Sequence, residues 1–411
     1  MLGPLLFLIY VNDISDSLLS LTRLFADDSS LYYSATSITD IEGIINHDLT
    51  LISAWAKKWL VTFNPNKTEA VLFSLKNNNN LPELVFQDTD ITFVENHKHL
   101  GLTLNKNGNW DAHVENILQS ASKVIGIMKR LKYTLNRKSL NQIYLSYIAP
   151  ILEYSSIVWN GCSESCSCSL QKLQNEAARI VTGLTRSVSL ENLFRECGWQ
   201  SLKERRDSQK LFFMYKATHD MVPTYISDLI PPTVGEINQY SLRNTDNVRN
   251  LHTRTTVSQK SCIPSSINMW NNLDTSTRNI DSSSGFKRII LQKSPPKIVP
   301  PYYLAGNRFL STMHARVRNK CSDLNSDLFH NHLRQDPYCS CFTEIEDAEH
   351  FLLRCKNHEN QRLTLFNSTR NFHPLNVDIL LFGKSTLTTE QTTTIFTAVQ
   401  EFIKKSKRFC S

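Results

Sequence analysis

Residues 23–33 read Arg-Leu-Phe-Ala-Asp-Asp-Ser-Ser-Leu-Tyr-Tyr: a short apolar stretch, an acidic turn at Asp27-Asp28, and a β-prone return. That order predicts a hairpin. Two neighbouring carboxylates framed by Leu24, Phe25, Ala26 and Leu31 repel each other unless a cation sits between them. A hard, oxygen-preferring ion such as Mg²⁺ suits the pair. A bare Asp-Asp is equally the sequence of a solvated acidic turn, so the residues around it decide.

Upstream, Met1–Val11 (MLGPLLFLIYV) is apolar throughout, with Pro4 placed for a first helical turn. An apolar periphery on every side predicts a buried helix. The stretch has no basic leader or small-residue cleavage site, and at roughly 10 residues it falls short of the about 20 that span a bilayer. The expectation is an intracellular chain, cytoplasmic or nuclear, neither secreted nor bound to a membrane. Downstream, Thr39 and Glu42 have capping-box spacing. Ile41, Ile44, Ile45, Ile52, Trp55 and Trp59 then recur at helical period, predicting a helix from Asp40 to about Leu60.

Three β-like segments follow, Glu69–Ser74, Leu84–Val94 and His99–Leu104, with Asn77–Asn80 and polar turns between them. From Asp111 the period changes to helical. Val114, Ile117, Leu118, Ala121, Ile125, Met128 and Leu131 mark one face, and Leu140–Leu152, Leu170–Gly183 and Leu202–Met221 continue the pattern. Pro223, Pro231 and Pro232 close this block. Residues 233–299 read as a polar connector, with the Ser282–Ser284 run and Pro295-Pro296, and a terminal helix is expected around Thr392–Lys405.

The chain has 411 residues, 41% hydrophobic and 20% charged, which is enough apolar mass for more than one core. Glycine is scarce (12 residues), and neither G-x-G-x-x-G nor G-x-x-x-x-G-K-[ST] occurs. Nucleotide chemistry would therefore have to run through carboxylates and metal. The net charge of +7 is unevenly placed. Residues 116–152 carry Lys123, Lys129, Arg130, Lys132, Arg137 and Lys138 with no acid. Residues 297–320 carry Lys297, Arg308, Arg316, Arg318 and Lys320, again with none, and the tail ends in Lys404, Lys405, Lys407 and Arg408. Such clusters suit a polyanion or form a solvated helix face.

The ordered set Leu2-Gly3-Pro4-Leu5-Leu6-Phe7, Tyr10-Val11-Asn12-Asp13 and Phe25-Ala26-Asp27-Asp28 resembles the palm of reverse transcriptases from jockey-like, non-LTR retrotransposons. The likeness continues through Asn66-Lys67-Thr68-Glu69, the Leu-Gly hairpin of His99-Leu100-Gly101-Leu102-Thr103-Leu104, Gly198-Trp199-Gln200-Ser201-Leu202 and Arg205-Arg206. The resemblance implies an α+β fold. Residues 1–105 would be the C-terminal half of a right-hand polymerase palm, 106–232 a helical thumb and 300–411 a small Cys/His-containing region. It implies RNA-directed DNA synthesis with Mg²⁺ on Asp27 and Asp28, a primer grip at Leu100 and Gly101, thumb bases on the nucleic acid, and an RNA template with a DNA primer or target as partners. The family's palm uses a further Asp from an earlier strand and a Gln-Gly pair before the position of Leu2. The expectation is that the chain starts inside the palm and is inactive alone; the rival is a non-catalytic nucleic-acid-binding protein.

Ten cysteines are too dilute for a disulfide scaffold. Cys162, Cys166 and Cys168 have no histidine close in sequence and read as loop residues. Cys339-x-Cys341-x₈-His350-x₄-Cys355 offers three thiolates and an imidazole, a tetrahedral Zn²⁺ set or a group of buried thiols. The resembling family has a similar box, often with Gly where Phe342 stands. His350 and Cys355 are five residues apart, about 140° around an α-helix, so both reach one ion only if the helix ends before Cys355.

Overall fold

A computed structural model describes residues 2–74, 80–237, 244–293, 299–342 and 344–409. It is helix-rich with four two-stranded sheets among the described residues, an α+β chain. It divides into two compact units, Met1–His113 and Val114–Ser411. Among the described residues no helix is long and apolar enough to cross a membrane.

In the first unit, α1 (Leu2–Val11) precedes the hairpin of β1 (Leu21–Phe25) and β2 (Asp28–Tyr32), and α2 (Ile38–Trp59) packs behind. The core is Ile14, Leu49, Ile52 and Phe86, with Leu24, Leu31, Ile45, Trp55 and Phe63 against it. Asp48, fully buried on α2, accepts the amides of Leu19 (3.0 Å) and Ser20 (2.7 Å) and so fixes the entry into β1. The Asp40–Leu60 expectation is met within two residues, but the cap differs. Ser37 is the N-cap residue, and Glu42 accepts the Glu83 amide (3.0 Å) instead of closing a box with Thr39. Helix α1 corrects the expectation of a buried segment. Leu2, Leu5, Leu6, Phe7, Leu8, Ile9 and Tyr10 are 39–67% exposed, and only Val11 is buried. A helix apolar on all sides needs cover on all sides. This unit supplies it at one end, where the Tyr10 ring meets Trp55 and Trp59.

The rest of the unit is short strands: β3 (Glu69–Ala70) parallel to β6 (Thr92–Phe93), β4 (Val85–Phe86) against β5 (Thr89–Asp90), and β7 (Asn96–His99) against β8 (Leu102–Asn105). His99–Leu104 is therefore two strands and a turn. Most of the Asn77–Asn80 break lies outside the described residues.

The second unit is helical. Helix α3 (Asp111–Leu131) buries Val114, Ile117, Ala121, Ile125 and Met128. Helix α4 (Arg137–Ile143) runs through a π turn (Tyr144–Ile148) into Ala149–Glu153. Pro150 has no N–H to give an α-helical acceptor, and the wider turn precedes it directly. Helix α5 (Glu164–Thr182) starts at Ser163, which caps Cys166 N, and ends at Gly183 in the left-handed region (φ 76°). Cys166 and Cys168 thus sit on a helix, not in a loop.

Helices α6 (Leu190–Cys197) and α7 (Leu202–Thr218) follow, the latter with a complete Ser201/Glu204 capping box. Residues 233–299, expected to be a polar connector, include α8 (Cys262–Asn271) and α9 (Ser283–Lys293). Val248, Ile267, Trp270, Phe286 and Ile290 form one core with Leu211, Met214 and Tyr215 of α7. Ser282 is the cap of α9, its Oγ accepting Gly285 N at 3.0 Å; Pro295-Pro296 lie outside the described residues.

From residue 299 the chain builds a last core on α10 (Arg308–Arg318), α11 (Glu359–Ser368) and α12 (Thr389–Ser406), around Phe351, Phe396 and Phe402. Within the second unit it is anchored to α5 and α6. Arg308 donates to the carbonyls of Ile180 (2.6 Å) and Val181 (2.5 Å), and Arg316 to that of Gly183 (2.9 Å). A helix C-terminus leaves four carbonyls without partners and a partial negative charge. Two arginines answer both.

Candidate metal centre and nucleic-acid face

The acidic hairpin closes with Phe25 opposite Asp28, leaving Ala26-Asp27 as a two-residue loop. Ala26 takes φ 52°, a conformation that favours glycine. Both Asp27 and Asp28 are exposed. Among the described residues they belong to no group of three metal-capable side chains. Leu100 and Gly101 form another tight turn of this unit, with φ 45° and 83°, joining β7 to β8, and Gln87-Asp88 (φ 49° and 59°) joins β4 to β5 in the same way. The I′-type turn that a two-residue hairpin prefers needs positive φ at both positions, which a Leu-Gly pair supplies at one strained residue.

The six bases of residues 116–152 separate into two groups. Arg137 is buried, donating to the Glu196 carboxylate at 2.9 Å and to the Glu196 carbonyl, so it is not free for a ligand. Lys129 pairs with Glu176 of α5 at 2.5 Å. Lys123, Arg130 and Lys138 are exposed, and half-buried Lys132 lays its ammonium 4.8 Å from the Tyr133 ring centre. The second basic run is structural: besides the α5 cap, buried Arg318 donates to Glu196 (2.6 Å) and to the Leu381 carbonyl (2.6 Å). Lys297 lies outside the described residues. In the tail, Arg408 clasps Glu346 (2.7 and 2.8 Å), while Lys404, Lys405 and Lys407 face solvent.

Cys339, Cys341, His350 and Cys355 converge, their donor atoms all within 4.8 Å of one another. Cys339 Sγ lies 3.5 Å from Cys355 Sγ, and Cys341 Sγ lies 3.4 Å from His350 Nε2. A tetrahedral zinc with Zn–S near 2.3 Å and Zn–N near 2.0 Å puts its donors about 3.5–3.8 Å apart. The other imidazole nitrogen, Nδ1, is 3.2 Å from Glu344 Oε2, the carboxylate–histidine arrangement that orients a ligand ring. Burial pushes the Cys339 thiol up, and a cation is what brings such sulfurs to the thiolate form at neutral pH.

The five-residue offset is met both ways: the helix widens, and it ends at Arg354, leaving Cys355 as its C-cap with ψ 123°. His350–Arg354 is a π turn, with Cys355 N bonded to His350 O at 2.7 Å, and the wider turn returns residue i+5 to the face of residue i. Phe342, where the resembling family often has Gly, sits at φ 60° and is 93% exposed. Between residues 336 and 359, Asp336, Glu344, Glu346, Asp347, Glu349 and Glu359 stand against Arg354 and Lys356, and from outside that stretch Arg408 pairs with Glu346 and Arg362 donates to the Cys355 carbonyl.

Sequence reasoning missed the structural use of Arg137, Arg308, Arg316, Arg318 and Arg408, because a long side chain's partner is set by tertiary packing. The missing signal for α8 and α9 was the i,i+3 spacing of Ile267 and Trp270 and the i,i+4 spacing of Phe286 and Ile290.

Comparison with known proteins finds relatives among RNA-directed DNA polymerases of mobile elements. The chain is 27% identical over 219 residues to a probable RNA-directed DNA polymerase from transposon BS of Drosophila melanogaster, matching 50% of this chain and 24% of the relative. It is 27% identical over 205 residues to the probable enzyme from transposon X-element (47% and 22%), and 26% identical over 193 residues to that from mobile element jockey (44% and 21%), both from the same fly. The matches thus span about a quarter or less of these relatives' lengths. No protein-family model matches the chain. No solved structure matches it.

Proposed function

We propose that this chain is a nucleic-acid-holding part of an RNA-directed DNA polymerase, with RNA template and DNA primer or target as its partners. Residues 1–105 are read as palm, with Asp27 and Asp28 as its acidic turn and Leu100 and Gly101 as a primer-end turn; residues 106–232 are read as thumb. The observation that carries the reading is the set of exposed bases Lys123, Arg130 and Lys138, with half-buried Lys132 among them, in a chain whose relatives are polymerases. Bases spaced along α3 and the start of α4 suit a phosphate backbone, which gives affinity without sequence preference.

Asp27 and Asp28 offer oxygen donors of the kind Mg²⁺ takes, and two-metal nucleotidyl transfer is the chemistry such ions supply. Two carboxylates are a partial ligand set, and among the described residues none completes it. We therefore assign no transfer step to these 411 residues by themselves: alone, they bind and do not extend. The Cys/His group is read as a structural Zn²⁺ site that fixes the loop 339–355 to its core.

The test is one preparation and two measurements. With primed RNA, Mg²⁺ and triphosphates, no primer should lengthen; extension abolished by Asp27→Ala would overturn the inactive reading. Binding to single-stranded RNA should weaken with salt at a log–log slope of about −3, four bases at roughly −0.7 each. The triple variant Lys123→Gln, Arg130→Gln, Lys138→Gln should flatten that slope to near −1. An unchanged slope would make these residues a solvated helix face.

A further inference from the structure

We propose that Tyr133 is a stacking platform for an unpaired nucleobase, which makes the α3–α4 corner a site for single-stranded nucleic acid. The proposal rests on the nucleic-acid reading above and names the strand form that the site takes. Tyr133 is 79% exposed, the most exposed tyrosine among the described residues. It stands at the tip of the corner between Leu131 and Arg137.

That corner is held by backbone bonds. Lys132 N meets Met128 O (2.9 Å), and both Thr134 N (3.1 Å) and Leu135 N (2.9 Å) meet Leu131 O. The Thr134 hydroxyl adds a bond to the same carbonyl at 3.2 Å. Asn136 then caps α4 through Ser139 N at 2.8 Å. A ring presented on a fixed corner loses little freedom when something settles on it.

One side of the ring is taken by the Lys132 ammonium, 4.8 Å from its centre. With so much of the ring in solvent, its other side is open. A flat ring with a cation behind it, flanked in sequence by Arg130 and Lys138, offers a π surface between two phosphate-binding charges. The acid-free run from 116 to 152 confines the carboxylates of these two elements to Asp111 and Glu115, at the opposite end of α3 from the corner. Among the described residues, the acids from packed neighbours that pair with bases here are Glu176 of α5, which engages Lys129 one turn further back, and Glu196 of α6, which holds the buried Arg137.

Every base has a π face, so stacking of this kind is tolerant of sequence. In a duplex the faces are already stacked on each other, and only an unpaired base can use the ring. Two contributions therefore separate cleanly. The lysines and arginines give a salt-dependent term common to all strands, and Tyr133 gives a salt-independent term confined to single strands.

The test uses the full chain and fluorescence anisotropy with oligouridine of about 12 nucleotides and an RNA–DNA duplex of the same length. Tyr133→Ala should weaken binding to the single strand about tenfold with its salt slope unchanged, and leave duplex binding as it was. Tyr133→Phe, which keeps the ring, should stay within about twofold of the parent. Equal losses on both ligands, or no loss on oligouridine, would overturn the stacking assignment while leaving the electrostatic face in place. If the parent chain binds neither ligand, the nucleic-acid reading itself fails and the stacking site with it.

Discussion

Phe342 holds a backbone conformation (φ 60°) that costs an L-residue roughly 1–2 kcal/mol, and 93% of its surface is in solvent, so packing returns little of that. Its amide bonds the Cys339 carbonyl at 2.9 Å, which closes the tight turn that brings Cys341 round to His350. The turn needs the angle, not the ring. Phe342→Gly should therefore raise stability by about 0.5–1 kcal/mol, the relieved strain less the extra freedom glycine gains when unfolded. Urea titration of the two proteins checks this, and a fall in stability would show that the ring packs against something in solution. Ala26, Leu100 and the Gln87-Asp88 pair carry the same kind of strain on the hairpin turns of the first unit. Such angles are invisible in sequence when the residue is not glycine. The position of the Asp27-Asp28 turn was legible; its backbone strain was not.

At the scale of elements, Glu196 ties α4, α6 and α10 together. Its carboxylate takes Arg137 at 2.9 Å, Arg318 at 2.6 Å and the Asn319 amide at 3.1 Å, all with little access to water. Burial alone would raise this carboxyl, but the Arg318 and Arg137 guanidiniums beside it hold it below its ordinary 4.5. A carboxylate depressed in the folded state stabilises the fold above its unfolded value, and that contribution is lost as pH falls through the lower folded value. Glu196→Gln should cost about 3 kcal/mol or more at neutral pH, because two buried cations lose their partner. The gap between variant and parent should shrink below about pH 4.5. A denaturation series from pH 7 to about pH 3 reads this directly, and a constant gap would mean that the triad is not what the substitution breaks. Helix α5 makes a second case. Its span from Leu170 was readable from apolar spacing, and Gly183 from the glycine rule for helix ends, whereas its start at Glu164 was not. That Arg308 and Arg316 would cover its last carbonyls was not readable, since a basic run looks alike whether it faces phosphate or peptide oxygen. Packing supplies the difference: a Cβ on Gly183 would lie 2.4 Å from the Thr312 methyl of α10.

For the whole molecule, the chain divides into two compact units, Met1–His113 and Val114–Ser411, and the stretch 233–299 is helical core within the second. A polar stretch with one apolar residue per turn still folds when a neighbouring helix offers a matching stripe, as α7 does for α8 and α9. The Cys/His group was legible as a ligand list from spacing alone; its feasibility depended on a π turn that no propensity encodes. If the four residues hold zinc, the full-length chain should carry about one zinc per molecule. Chelation should then lower the melting temperature and free the Cys339, Cys341 and Cys355 thiols for alkylation, and Cys341→Ser should lose the metal. Zinc far below one per chain, with melting unchanged by chelator, would make these residues ordinary buried thiols and a histidine. Full length matters here because Arg308, Arg316 and Arg318 root the last core in α5 and α6, and an isolated C-terminal piece would lose those bonds.

The π turn at His350–Arg354 has a consequence in genetic terms. A π turn is an α turn with one residue added, so this segment is equivalent to a His-x₃-Cys helix that has gained a codon. Phe351 and Leu352 are in the core, whereas Arg354 is half in solvent and pairs with Glu344 and Glu349. Losing the Arg354 codon would return the turn to α geometry with His350 and the cysteine still on one face, and the same four side chains would close on the same point. Losing the Leu353 codon as well would put that cysteine about 60° around the helix from His350 and remove a side chain that packs on the last core. The spacing of this cage therefore accommodates the first lost codon at that place better than the second.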